Sequence, residues 1–264
     1  MGSATRQALA GSRAALVELG RADLKVAEDL LAAERIIGSS SQLRSALTDT
    51  DTDAAQKRAL VEAVFGPRLV DDAVTLLLHA ATSRWSDDQD FLAGIEELAY
   101  RVAAESAPDD LDIDAELFTF ERAVASDSEL ELALGSKLSA PEGKTSIVDR
   151  LLAGRAAPQT LAIVRHLVQE PGGRRIGEML RHAASVVAAQ RGFDIATVTT
   201  AVPLTAAQLG RLEQGLAAQA GRRIRFDTIV DPSLLGGVRV QIGDDVIDGS
   251  VASRLSSLRQ ELAG

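Results

Sequence analysis

Asp231-Pro232-Ser233-Leu234-Leu235-Gly236-Gly237-Val238-Arg239-Val240-Gln241-Ile242-Gly243-Asp244-Asp245-Val246-Ile247-Asp248-Gly249-Ser250 reads as a turn, a short strand, a tight hairpin, a second strand and a helix start. Val238, Val240 and Ile242 alternate with Arg239 and Gln241, the period-two pattern of a half-buried strand. Gly243-Asp244-Asp245 is hairpin-turn chemistry. The glycine pair 236–237 marks a place where the backbone turns sharply or lies close to another strand. Ser250 after Gly249 suits a helix N-cap. Val251, Leu255, Leu258 and Leu262 then recur at helical spacing. The segment offers no bond-making chemistry.

Upstream of this block, Ile195 to Val202 is rich in Thr and Val and predicts a strand. A helix is expected over 205–220 after Pro203, and a strand over 223–230. Everything before Gly192 reads as helices: 4–20, 22–38, 40–47, 54–65, 68–83 and 88–106, then 113–125, 127–134, 142–153, 157–169 and 173–191. The expected fold is mainly α with a small α/β part. Two tandem helical bundles, 1–107 and 108–192, precede a small mixed-sheet domain, 193–264.

The two bundles read as copies. A shift of 87 residues, without a gap, places Glu34-Arg35 on Glu121-Arg122, Ser39 on Ser126, Leu43 on Leu130, Lys57 on Lys144 and His79 on His166. Ser39 with Gln42, and Ser126 with Glu129, have the spacing of capping boxes. Coincidence between two Ala- and Leu-rich stretches is the alternative.

The composition excludes several function classes. Of 264 residues 46% are hydrophobic but only 3% are aromatic, so the core is built mostly from Ala, Leu and Val. There is no cysteine, which removes disulfides and thiol chemistry, and only His79, His166 and His182 could supply imidazole to a metal. The net charge is −10, all of it carried between Asp49 and Asp112, with 15 acids against 5 basic residues. A nucleic-acid interface needs a basic face, and none is evident. Met1 to Arg13 has no apolar core of a signal peptide. The most apolar run, 73–81, contains His79 and is far short of the roughly 18 residues that cross a bilayer. The chain is therefore expected to be cytoplasmic and held at a membrane only through partners.

Three local patterns resemble active chemistry and fail on inspection. Gly143-Lys144-Thr145 lacks the earlier glycine of a phosphate loop, because Leu138 stands there, and it reads as a solvated helix turn. Asp49-Thr50-Asp51-Thr52-Asp53 is followed by Ala54 where a calcium loop needs Gly and by Leu60 where it needs Glu, which leaves an acidic interhelical loop. His79 and His166 lie on apolar helices and read as packed histidines bonded to nearby backbone; Trp85 and Tyr100 read as packing aromatics. No catalytic, cofactor-binding or metal residue is expected.

The C-terminal block closely resembles the signature of the delta subunit family of rotary F-type ATP synthases, whose mitochondrial relative is the oligomycin sensitivity conferring protein. Asp231, Gly236, Gly237, Gly243, Asp248, Gly249 and Ser250 carry the resemblance. The earlier part resembles the longer actinobacterial form, with an expanded helical region in which the first bundle is the added copy. The resemblance implies a non-catalytic stator subunit of the peripheral stalk, present once per complex at the cytoplasmic face of the cell membrane. It would join the catalytic head to the stalk and resist torque, so that proton flow is coupled to ATP synthesis. It implies two partners. N-terminal helices of the alpha subunit would lie in a helical-bundle groove, here expected at Leu9, Leu16, Leu19, Leu76 and Leu77, with the equivalent face of the second bundle around Ile163 and Val164 as the competing site. The b subunits of the stalk would meet Val251, Leu255, Leu258 and Leu262. In some actinobacteria this subunit is fused behind a stalk subunit; this chain starts at Met1 with no stalk helix and is expected to be unfused. A helical adaptor of an unrelated complex, or an enzyme with a dispersed site, remain the alternatives.

Overall fold

The computed structural model describes residues 2–136, 139–169, 174–220, 223–234, 236–242 and 245–249. It divides into two compact units, Met1–Val187 and Ala188–Gly264. Twelve helices and four strands occur among the described residues, so the molecule is mainly helical with a small mixed sheet.

The first unit begins with α1 (Ser3–Leu19), α2 (Leu24–Ser39), α3 (Ser41–Thr48), α4 (Ala54–Phe65), α5 (Asp71–Thr82) and α6 (Asp88–Ser106). It continues with α7 (Ile113–Ala125), α8 (Ser128–Gly135), α9 (Pro141–Leu152), α10 (Pro158–Gln169) and α11 (Ile176–Gln190). The 87-residue shift carries α3, α4 and α5 onto α8, α9 and α10 with identical bounds. Side-chain interactions repeat as well. Asp29 of α2 accepts from the Val70 amide at the start of α5 (2.8 Å), and Glu116 of α7 accepts from the Ala157 amide at the start of α10 (2.9 Å). Each acid satisfies a free amide and faces the positive end of a helix dipole. Equivalent interior positions are closed in both copies: Leu47 and Leu134, Val61 and Val148, Leu76 and Ile163, Leu77 and Val164.

The helix caps fall one residue later than the expected Ser39 and Ser126. Ser40 accepts from the Leu43 amide, and Asp127 accepts from those of Glu129 and Leu130. Ser39 and Ser126 instead donate back to Ile36 and Ala123 in the preceding turns (3.0 and 2.9 Å). Extended backbone at Ser40 and Asp127 is what swings a side chain under the free amides.

The expected division at 107/108 is not a break between compact units. It follows α6, whose residues Phe91, Leu92 and 94–104 are all buried, the signature of a helix enclosed on every side. The reason lies in the repeat. The shift carries α1 onto 90–106, so both helices end in register, and it carries α6 onto 175–193, over α11. Helix α6 is thus the last helix of the first copy and the first helix of the second. Tyr100, Phe91, Ile95 and Leu98 are part of the core that both copies share.

In the second unit β1 (Phe193–Thr200), α12 (Ala206–Ala220) and β2 (Arg223–Val230) form a βαβ segment, followed by β3 (Val238–Ile242) and β4 (Asp245–Asp248). The sheet order is β2-β1-β3-β4, with β1 and β2 parallel and the other pairs antiparallel. Ala196, Val198, Val240 and Leu216 of α12 form its core, with Phe226, Ile224, Leu204 and Leu212 packed around it. The unit boundary lies in the last turn of α11, slightly before the expected 192/193.

Candidate partner-binding surfaces

Helix α1 runs antiparallel to α5. Near its start the Thr5 hydroxyl meets Ser86, just beyond the end of α5, and at its middle Gly11 faces the His79 ring. A methyl group on Gly11 would lie 2.9 Å from His79 Nε2, so the ring packs directly against the bare glycine. Four of the five expected groove leucines are not on this surface. Leu9, Leu16, Leu76 and Leu77 are 6%, 1%, 0% and 0% exposed, while Leu19 is half-buried. A leucine stripe at helical spacing is what a helix turns toward its own core, and here that core already claims it. The outward shelf is made of smaller residues. Ala14 and Thr75 are exposed, and Gly11, Ala15, Leu78 and His79 are half-buried. One end, where α1 finishes and α5 begins, carries exposed Glu18, Asp71 and Asp72.

The equivalent face of the second copy looks different. Leu98, Arg101 and Val102 of α6, and Ala162 and His166 of α10, are all buried. Helices α1 and α2 cover them. Arg13 of α1 pairs with Glu97 at 2.7 Å, and Glu97 also pairs with Arg101 at 2.8 Å. His166, 1% exposed, sits among Arg35 of α2 (3.2 Å from Nδ1), Glu96 of α6 (3.4 Å from Nε2) and Glu34 of α2 (3.7 Å from Nε2). Arginine only donates, so Nδ1 accepts from Arg35 and Nε2–H faces the carboxylates. Arg174 holds Glu96 with two bonds of 3.1 Å, the Tyr100 hydroxyl donates to Glu96 at 2.8 Å, and the Tyr100 ring stands edge-on to His166. Burial opposes the charge on Glu96, but the hydrogen bonds from His166 and Arg174 overcome it and hold its carboxyl far below the usual range. Glu97 is likewise held low, burial being outweighed by Arg13 and Arg101. Burial, reinforced by Glu96, pushes the Tyr100 hydroxyl well up.

The histidine expectation is therefore half met: both are packed, but His166 bonds to side chains from another helix rather than to nearby backbone. Trp85 is a packing residue, its indole N–H donating to the Ala80 carbonyl at 2.8 Å and its ring lying over Gly94. Lys144 lies in the first turn of α9 as expected but is 3% exposed, not solvated; Lys57 is buried at the matching position. Asp49 accepts from the Asp51 amide and the Thr52 hydroxyl, and Asp53 caps α4, which makes 49–53 a self-bonded interhelical loop. Among the described residues no cluster of His, Asp and Glu has the arrangement of a metal site.

In the second unit the described signature residues shape the backbone. Gly236 and Gly237 take φ of 115° and 87°, the region that favours glycine. The Gly249 amide donates to the Val238 carbonyl at 2.9 Å, and a Cβ there would lie 3.0 Å from that oxygen. The Asp231 amide donates to Thr200, and its carboxylate accepts from the Ser233 amide and hydroxyl, which keeps its carboxyl below the usual range. Asp248 pairs with Arg239 across the hairpin register. Gly243, Ser250, Val251, Leu255, Leu258 and Leu262 lie outside the described residues.

Residues 99–262 match the family model described as ATP synthase delta (OSCP) subunit. That match begins inside α6 and takes in the rest of the second copy and the sheet unit, leaving the first copy largely outside it. The chain is 56% identical to the ATP synthase subunit delta of Leifsonia xyli subsp. xyli, over 100% of both chains. It is 35% identical to that of Beutenbergia cavernae, over 94% of this chain and 93% of the relative. It is also 35% identical to that of Streptomyces griseus subsp. griseus, over 100% of both.

Proposed function

The chain belongs to the ATP synthase delta (OSCP) subunit family, and from that premise we propose that its two helical copies divide the work, the first meeting the alpha subunit and the second stiffening the joint. Members of this family are non-catalytic subunits of the peripheral stalk, and this chain is one. Among the described residues no helix is long and apolar enough to cross a membrane. We propose attachment at the cytoplasmic face of the cell membrane through the b subunits, with Val251, Leu255, Leu258 and Leu262, which lie outside the described residues, as their contact.

One observation carries the placement of the alpha-subunit helix. The α1/α5 shelf is open, while its counterpart in the second copy, apart from half-buried Arg165, is covered by the chain itself. The shelf suits an amphipathic helix: Gly11 and Ala14 let a backbone approach, Leu78 offers apolar contact, and Glu18, Asp71 and Asp72 favour basic residues at one end. Each large apolar side chain that the incoming helix buries there adds roughly 1.5–3 kcal/mol. Titration of an alpha-subunit N-terminal peptide into the full chain should show saturable binding that Leu78→Asp removes. Unchanged binding by Leu78→Asp, with the fold intact, would refute this placement.

A further inference from the structure

We propose that the first helical copy is a built-in occupant of the second copy's groove, so that the chain offers one helix-binding site although it contains two helix-binding folds. This rests on the assignment of the α1/α5 shelf above, but its test is separate.

Shifting the shelf residues Gly11, Ala14, Ala15, Leu78 and His79 by 87 gives Leu98, Arg101, Val102, Arg165 and His166. On the first copy a glycine and two alanines leave room for another chain. On the second copy the α6 positions hold large side chains, and three of them, Leu98, Arg101 and Val102, are interior. Helix α2 packs along α6 and reaches α10. It delivers Arg35 to His166 Nδ1 and Glu34 to the Nε2 side of the same ring. Helix α1 closes the neighbouring part with Arg13 on Glu97. The space where a foreign helix would lie is thus taken by α2, and the Arg35–His166 contact is the polar latch that fixes it. His79, the first-copy counterpart of His166, is half-buried and lies against Gly11 across the helix pair. One shared helix explains both states: α6 must satisfy two copies, so its second-copy shelf cannot stay open.

The test is the stoichiometry of the alpha-subunit N-terminal peptide on the full chain, read by titration and native mass spectrometry. The wild-type chain should take one peptide. Leu78→Asp should lower affinity about tenfold or more and leave no second site. Adding Arg35→Glu, which sets a carboxylate against His166, Glu34 and Glu96, should loosen α2 and restore one peptide to the Leu78→Asp chain, with faster amide exchange in α10. If Arg35→Glu costs the helical circular dichroism, His166→Ala serves as the milder latch variant. Two peptides on the wild-type chain would overturn the plug. So would an opened α10, seen by exchange, that still takes no peptide. If the wild-type chain takes none while the latch variant gains one, the shelf assignment fails and the plug stands.

Discussion

The two helical copies share the bounds of three helices, the capping position before α3 and α8, and several interior positions, yet they end with opposite surfaces. In the first, Gly11, Ala14 and His79 reach solvent; in the second, Leu98, Arg101 and His166 do not. A repeated fold therefore did not repeat its exposed face. What changed is the neighbour. The second copy has the first packed on its opening helix through α6, and its side chains there are large or charged and paired. The first copy keeps small residues where its shelf has no cover from this chain. For a subunit that transmits torque this division is useful: a joint closed by buried, multiply bonded charges has few alternative arrangements, while a shelf of small residues accepts a partner.

The largest effect is expected at Glu96, whose first-copy counterpart is the plain core residue Leu9. Glu96→Ala strips the carboxylate from His166, Arg174 and Tyr100 at once and should cost about 3–5 kcal/mol, measured by urea unfolding. Leu98→Ala should cost about 2–4 kcal/mol by leaving a cavity in the shared core. Gly11→Ala, at the counterpart of Leu98, should move stability by no more than about 1 kcal/mol, because only the far end of the His79 ring must shift.

Acid should separate the copies next. The Glu96 and Glu97 carboxyls are held below their unfolded value, near 4.3. Their contribution is complete above that value and is lost as pH falls through it toward the folded values. Thermal unfolding of the wild-type chain should therefore weaken from about pH 5 downward, and more steeply than that of Glu96→Gln. Equal slopes for the two proteins would show that the joint does not depend on the Glu96 charge.

The smallest effects should be the caps, and there the copies should agree. Ser40→Ala and Asp127→Ala should each cost about 1 kcal/mol, whereas Ser39→Ala and Ser126→Ala, which touch only preceding carbonyls, should cost less. The reverse order would restore the capping boxes at 39 and 126.

The sequence carried the local structure well. The shift of 87 residues placed α3 to α5 and α8 to α10, and the alternation of Val238, Val240 and Ile242 placed β3 in its sheet. The glycine pair at 236–237 has the positive φ that its turn chemistry implies. The site was less legible, for physical reasons. Leucine stripes report burial without saying which surface buries them, so Leu9, Leu16, Leu76 and Leu77 read equally as groove and core. The signal for an open shelf is the reverse, Gly11 with Ala14 and Ala15 among larger residues. The latch joins Arg35 to His166 across 131 residues and Arg174 to Glu96 across 78, distances at which no periodicity speaks. Helix α6 carries no clear repeat signal because it answers to two alignments at once, with α1 and with α11, and matches neither closely.

Because the chain contains no cysteine, single cysteines can be placed at will. The central claim, that the first copy meets the alpha subunit and the second does not, is tested most directly by carrying a photo-crosslinker on Ala14→Cys or on Arg165→Cys within the assembled ATP synthase. Ala14→Cys should yield an adduct with the alpha subunit and Arg165→Cys none. An alpha-subunit adduct from Arg165→Cys, with none from Ala14→Cys, would contradict the account.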